Sequence, residues 1–199
     1  MQLKYELFKN LVQESRTIRR FQAQKPISRD VLLELVGLAR LTPSAGNLQP
    51  LKYILVNDPE VKAELFAQVK WARDLPDWGG PAISERPAAY IVILADNEIR
   101  DAFGCDHGIA AQTIMLGARA MGLGCCMLGS VNRPYLQQLW NLEKRYDILL
   151  VLALGEPAET VVIEEMRSGE STKYWRSEDE VHHVPKRPVS ELILKEYTI

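Results

Sequence analysis

Apolar residues recur at helical spacing in three stretches of the chain. Between residues 3 and 14 they fall on one helical face: Leu3, Leu7, Phe8, Leu11 and Val12. Ser28 is placed to cap a second helix that has Asp30 in its first turn and ends before Thr42-Pro43. Residues 103–121 form the longest predicted helix, which is rich in small residues and which Gly122 is placed to end.

Shorter apolar runs predict the strands, at residues 52–57, 89–94 and 148–154, with a further short stretch at 124–129. The run at 89–94 contains no polar residue, as expected for a strand covered on both faces. Short helices are predicted from Asp58-Pro59 and from Arg133-Pro134.

Two regions lack such patterns. Residues 71–87 hold two tryptophans, several prolines and a glycine pair, which makes a regular element unfavourable. From Glu156 we predict a charged tail with one apolar element at 189–194, and we expect His182 and His183 at a surface or interface. The whole pattern predicts one domain over residues 1–199, an α+β sandwich in which the apolar stripe of each long helix faces a single sheet.

Composition narrows the class of protein. The net charge of -2 gives no indication of a nucleic-acid or membrane partner. No apolar run reaches the roughly 20 residues of a membrane span, and the charged residues among Met1–Asn10 differ from the uncharged core of a signal peptide, so we expect a cytoplasmic protein. The three cysteines, Cys105, Cys125 and Cys126, are unsuited to a disulfide framework, and no metal-ligand spacing occurs.

Three segments have residues suited to ligand binding. Two are basic: Ser15-Arg16-Thr17-Ile18-Arg19-Arg20, and Lys186-Arg187 between two prolines. An arginine fork matches a phosphate group, although charge runs are commonly solvated surface. The usual phosphate loops are absent, since Met127 stands where a dinucleotide fingerprint would need its third glycine. The third segment, residues 43–50, has more polar donors than a turn requires.

Taken together, these segments resemble the nitroreductase family. The shared pattern is Arg-Thr-Ile-Arg-Arg-Phe at 16–21, Pro-Ser-Ala-Gly-Asn-x-Gln-Pro at 43–50 and Met-Gly-Leu-Gly at 121–124. It continues with Leu-Val-Leu-Ala-Leu-Gly-Glu-Pro at 150–157 and Pro-Lys-Arg-Pro at 185–188. The resemblance covers nearly the whole chain in order. It implies a mostly antiparallel sheet flanked by helices, in an intertwined homodimer with FMN at the subunit interface.

The resemblance also implies roles for particular residues. Arg16 and Thr17 would contact the FMN phosphate or ribityl chain, together with Lys186 or Arg187, while Arg19 would lie near the N1/O2 edge of the flavin. The partner subunit would contribute Pro43, Ser44, Ala45 and Asn47. Leu128, Gly129 and Ser130 would lie beside the ring, and Gln68 is the candidate for an amide at its pyrimidine edge.

Two positions depart from the family pattern: Ser15 stands where many relatives carry arginine, and Leu51 where an aromatic residue is common. Phosphate binding would then depend more on Arg16 and the C-terminal basic pair. We consider Trp71 and Trp78 either as a lid over a flat substrate or as packing residues. The segment 156–199 would extend over the partner subunit, and the helix around Ala110–Ala118 would form the dimer core.

The implied reaction is hydride transfer from NADH or NADPH through the flavin to an electron-poor small molecule, such as a nitroaromatic compound or a quinone. The flavin carries this chemistry, so no catalytic side chain is expected. Two alternatives remain open: a flavoprotein of this fold with another chemistry, such as reductive dehalogenation or flavin fragmentation, and a non-catalytic FMN-binding module.

Overall fold

Four antiparallel strands form the main sheet. The structure, a computed structural model, describes residues 2–101 and 104–198. The strands are β1 (Leu51–Val56), β2 (Ala89–Asp96), β3 (Gly124–Leu128) and β4 (Tyr146–Gly155). They lie in the order β1-β2-β4-β3, and each neighbouring pair is antiparallel. β1 and β3 are therefore the two outer strands of this sheet.

Five helices accompany these strands: α1 (Gln2–Glu14), α2 (Arg29–Ala39), α3 (Pro59–Ala67), α4 (Asp106–Ala120) and α5 (Arg133–Leu139). α2 and α4 build the core with the sheet, where Leu32, Leu35 and Ile114 are buried with Ile91 and Leu152. The predicted α+β class with a mostly antiparallel sheet is confirmed. Within the described residues no helix combines the length and hydrophobicity needed to span a membrane.

The start of α2 follows the predicted capping. Ser28 has extended backbone, and its hydroxyl oxygen accepts a hydrogen bond from the Val31 N–H at 3.3 Å. We expect Ser28→Ala to lower the free energy of unfolding by about 1 kcal/mol, because one N–H at the helix start loses its acceptor. Urea denaturation measures this change. Ser28→Asp, which keeps an acceptor, should retain the stability; equal losses in both variants would contradict the capping role.

The helix α1 differs from the prediction. Its apolar stripe does not face the sheet: Leu3 is 74% exposed and Phe8 55%, and no residue of α1 is buried. Near its end, Glu14 pairs with Arg119 of α4 at 2.8 Å. The helix was correctly predicted, but the packing of its apolar stripe on the sheet was not, since helical spacing does not specify what the stripe packs against.

Several small residues of α4 pack within the chain, and the dimer-core role that the family resemblance implied for this helix stays a prediction. Ala110, Ala111 and Ala118 are fully buried within the chain itself. A Cβ added at Gly117 would lie 2.6 Å from a methyl carbon of Leu38 on α2. Glycine at this position therefore permits the close approach of α2 to α4, and this face of α4 is occupied inside one chain.

The segment after Glu156, predicted as a charged tail with one apolar element, contains three strands as well as a short helix. The described residues divide into two compact units, the second of which holds Ala72–Gly79 and the chain from Glu159 onward. It contains β5 (Val161–Glu165), β6 (Trp175–Arg176), β7 (His182–Lys186) and the short α6 (Val189–Leu192). β7 lies between its parallel neighbour β5 and its antiparallel neighbour β6.

The middle position of β7 also corrects the expectation for His182, which is fully buried. Neither β5 nor β7 has an uninterrupted apolar run, because glutamates, histidines and a lysine occupy several positions of these strands. Their residues therefore gave no strand signal in the sequence.

Candidate functional site

The N-terminal basic segment lies along the outer strand β3. Thr17 forms a parallel bridge with Cys125, and the Ile18 N–H donates to the Cys125 carbonyl at 3.0 Å. A Cβ on Gly124 would lie 2.8 Å from the Cβ of Ile18, so glycine there permits this close approach. The sheet edge thus holds Arg16 and Thr17 in a fixed position beside β3.

Two buried polar atoms at the start of this segment, in Ser15 and Arg16, form no hydrogen bond with the described residues. Ser15 is 5% exposed, and neither its Oγ nor the Nε of Arg16 forms a hydrogen bond with any residue that the structure describes. Another nitrogen of the Arg16 guanidinium donates to the Val12 carbonyl at 2.7 Å, which holds the side chain at the end of α1. Burial lowers the pKa of Arg16, because it disfavours the charged form.

The segment that follows β3 is joined to the end of α3. Leu128 is buried, whereas Gly129 and Ser130 are exposed. The Ser130 carbonyl accepts a hydrogen bond from the Lys70 N–H at 3.0 Å. Asn132 donates through its backbone N–H to the Gln68 carbonyl and through its side chain to Gln68 Oε1, both at 2.8 Å. Gln68 therefore lies close to the segment that follows Leu128, and its contact with a flavin stays a prediction.

The segment 43–50 is anchored to the start of α4 by a residue that the sequence analysis missed. Asp106 is 3% exposed and accepts hydrogen bonds from the Ser44 hydroxyl at 2.6 Å and the Ala45 N–H at 3.4 Å. The Ser44 Oγ in turn accepts from the Gln49 N–H at 3.0 Å. The only available signal was an aspartate in the first turn of a helix, where a negative charge is favourable.

A cavity of about 400 Å³ lies beside this anchor. Its polar wall includes Ser44, Asp106 and Arg40, and its apolar wall includes Val36 and Pro43. Tyr53 also lines it, and burial raises the pKa of that phenol. Ala45 and Asn47 are exposed.

The predicted binding residues fall on two edges of the sheet. Residues 43–50 lead directly into β1, whereas residues 16–19 and 128–130 adjoin β3 at the other edge. A single chain therefore brings Arg16 and Thr17 to the strand that carries Leu128–Ser130, and it does not bring Pro43, Ser44, Ala45 or Asn47 to them.

The remaining predicted residues lie apart along the chain. Lys186 ends β7 and Arg187 pairs with Glu191 at 3.1 Å, both within the second unit. In the same unit the Arg176 guanidinium lies 4.3 Å from the centre of the Trp78 ring. Trp71 belongs to the first unit and packs against Phe66, with ring centres 5.8 Å apart. The binding and lid roles of these residues stay predictions.

The chain combines an antiparallel α+β architecture with a basic segment that lies on its outer strand β3. The model of the Nitroreductase family matches residues 12–156. The chain therefore belongs to that family, which confirms the resemblance. A relative from Archaeoglobus fulgidus, provisionally named NADH dehydrogenase/NAD(P)H nitroreductase, is 27% identical over 157 residues, which are 75% of this chain and 84% of that protein. The predicted enzyme class, an NAD(P)H-dependent oxidoreductase, is confirmed.

Solved structures agree with this assignment of the fold. A nitroreductase family protein from Clostridium difficile 630 matches with a TM-score of 0.67 and 17% identity, over 94% of this chain and 97% of that one. The FMN-dependent nitroreductase of Clostridium difficile R20291 matches with a TM-score of 0.61 and 24% identity, over 75% of this chain and 87% of that one. Both likenesses concern the fold.

Proposed function

We propose that this chain acts as a homodimer that binds FMN and transfers hydride from NADH or NADPH to an electron-poor small molecule, such as a nitroaromatic compound or a quinone. The family match and the nicotinamide named for the Archaeoglobus relative support the oxidoreductase class. The FMN named for one structural neighbour supports the choice of flavin.

The observation that carries this proposal is the pair of unsatisfied polar atoms at Ser15 and Arg16. A buried polar group without a hydrogen-bond partner is costly, and a bound ion or ligand that supplies the partner is one explanation for it. A hydroxyl and a guanidinium on consecutive residues provide donors suited to the oxygen atoms of a phosphate group. This donor set fits the phosphate end of FMN, and Ser15 thereby joins Arg16 and Thr17 as a proposed binding residue.

The other residues of the chain would orient the bound flavin and exclude water from it. When bound, FMN supplies the hydride chemistry at its N5 position. The backbone of Leu128–Ser130, fixed through Lys70 and Gln68, offers a firm surface for a flat ring. Arg19 provides positive charge on the same segment as Arg16. No side chain is required to act as nucleophile or proton carrier.

Two features support the homodimer. Residues 43–47 and residues 16–19 adjoin opposite edges of one sheet, so a second copy is the natural source of the 43–47 segment. The exposed apolar stripe of α1, with Leu7 62% and Phe8 55% exposed, offers surface for that second copy.

A visible absorption spectrum of the purified protein, repeated anaerobically after NADH or NADPH is added, tests the proposal. We expect an oxidised flavin spectrum that one of the nicotinamides bleaches, which would also identify the donor. Bound flavin that neither nicotinamide reduces would favour the non-catalytic module. If added FMN does not bind at all, the proposal is wrong.

A further inference from the structure

A second, smaller cavity lies on the first unit between α3 and the start of β2, and it contains no residue of the proposed flavin site. Its volume is about 180 Å³, and its lining includes Lys62, Phe66, Ile83, Arg86 and Tyr90. This is below the roughly 300–1,000 Å³ of pockets that hold drug-sized ligands. The size therefore suits a small ion or the charged end of a larger molecule.

The charge of this cavity is one-sided. Lys62 and Arg86 are the charged residues among those described that line it, and both are positive. The Lys62 ammonium donates one hydrogen bond, to the Ala88 carbonyl at 3.1 Å, which leaves two of its three N–H groups for other acceptors.

Arg86 is the more informative residue. Its guanidinium lies over the Phe66 ring, 4.0 Å from the ring centre, which holds one face of the plane and leaves the N–H edges available. Its buried Nε makes no hydrogen bond to the residues described, and no carboxylate among them pairs with the guanidinium. A buried nitrogen without a hydrogen-bond acceptor is costly, so the Nε of Arg86 is suited to an acceptor that a ligand supplies.

Tyr90 provides a neutral neighbour for these cations. It is 1% exposed, and burial raises the pKa of its phenol, so the hydroxyl stays protonated throughout the physiological range. The lining thus combines two cations with an uncharged phenol and apolar walls.

We propose that this cavity, the Arg86 pocket, binds a small oxyanion: a carboxylate or phosphate group held by Arg86 and Lys62. Either group offers paired oxygen atoms that match the guanidinium fork. This site shares no residue with the segments proposed to hold FMN.

Thermal unfolding followed by circular dichroism tests the Arg86 pocket. The purified protein is saturated with FMN, so that the flavin phosphate position is filled, and titrated with acetate, phosphate or chloride at equal ionic strength. We expect a saturable rise in Tm with acetate or phosphate and none with chloride, since a ligand that binds only the folded state stabilises it. The more effective anion identifies the group that the pocket prefers.

Three variants test whether the rise in Tm depends on Arg86 and Lys62. Arg86→Gln should weaken the apparent affinity by about tenfold or more, as expected for the loss of a charge-assisted hydrogen bond, and Lys62→Gln should weaken it as well. Arg73→Gln, whose side chain is 93% exposed in the wild type, should leave the affinity unchanged. If Arg86→Gln does not fold, Lys62→Gln decides alone. A saturable shift that persists in the folded pocket variants, or no saturable shift in the wild type, overturns the proposal.

Discussion

Replacing Asp106 with alanine is expected to lower the free energy of unfolding by about 2–3 kcal/mol and to loosen the 43–50 segment. The buried carboxylate accepts from the Ser44 hydroxyl at 2.6 Å and the Ala45 N–H at 3.4 Å. Alanine would leave both donors without an acceptor in a water-poor environment. It would also remove a negative charge from the first turn of α4, where the helix dipole favours it.

A double-mutant cycle separates this contact from other effects of the substitution. Urea denaturation of Asp106→Ala, Ser44→Ala and the double variant should give a coupling energy of about 1 kcal/mol or more. Asp77→Ala, at an exposed position, should change the stability by less than about 0.5 kcal/mol. Additive losses from the two single variants would show that Asp106 stabilises α4 without anchoring Ser44.

The same variants link stability to function. If residues 43–47 of a second copy help to hold FMN, Asp106→Ala should also weaken FMN retention. Asp106→Asn keeps an acceptor oxygen of similar shape and should lie between the wild type and Asp106→Ala in both measurements. A large loss of stability with unchanged flavin retention would separate the anchor from the binding site.

The elements that local chemistry determines could be predicted from the sequence. Ser28 begins α2 because its side chain replaces a missing hydrogen-bond acceptor, and the unbroken apolar run of β2 is buried along its whole length. Gly122, with a φ of +78°, follows the end of α4 as predicted. Each of these signals lies within a few residues of the feature that it specifies.

Features that depend on distant residues could not be predicted in this way. The hydrogen bond between Ser44 and Asp106 joins positions 62 residues apart, and nothing in the local sequence pairs them. The strands of the second unit have mixed polar and apolar residues. Each of them is defined by its pairing with a neighbouring strand and not by a hydrophobic run. The apolar stripe of α1 predicts a helix, but its spacing does not indicate which surface the helix packs against.

The family resemblance identified the basic segment, but it also led to an underestimate of Ser15. By resemblance Ser15 is a lost arginine, whereas in the structure its hydroxyl is buried without a hydrogen bond, as is the Nε of the next residue, Arg16. A hydroxyl donates one hydrogen bond and carries no charge. With serine at position 15, the binding of an anionic ligand depends more on the charge of Arg16.

Replacing Arg16 with alanine is accordingly expected to weaken FMN binding by about 10- to 100-fold. The estimate follows from the roughly 1.5–3 kcal/mol that a hydrogen bond to a charged group contributes. Arg16 is already held by its bond to the Val12 carbonyl and by the bridge between Thr17 and Cys125, so little ordering is needed when a phosphate arrives. Titration of the FMN-free protein, followed by flavin fluorescence, gives the dissociation constant.

Two further variants test whether FMN binding depends on the charge of Arg16 or on the planar shape of its guanidinium. Arg16→Lys keeps the charge and loses the planar fork, so its affinity for FMN should fall between those of the wild type and Arg16→Ala. Arg29→Ala removes an exposed arginine at the start of α2 and should leave the affinity unchanged. Because the buried Nε of Arg16 has no partner among the described residues, a phosphate at this position would satisfy it. Unchanged FMN affinity in a folded Arg16→Ala protein would remove Arg16 from the site, and the basic segment would then be surface charge.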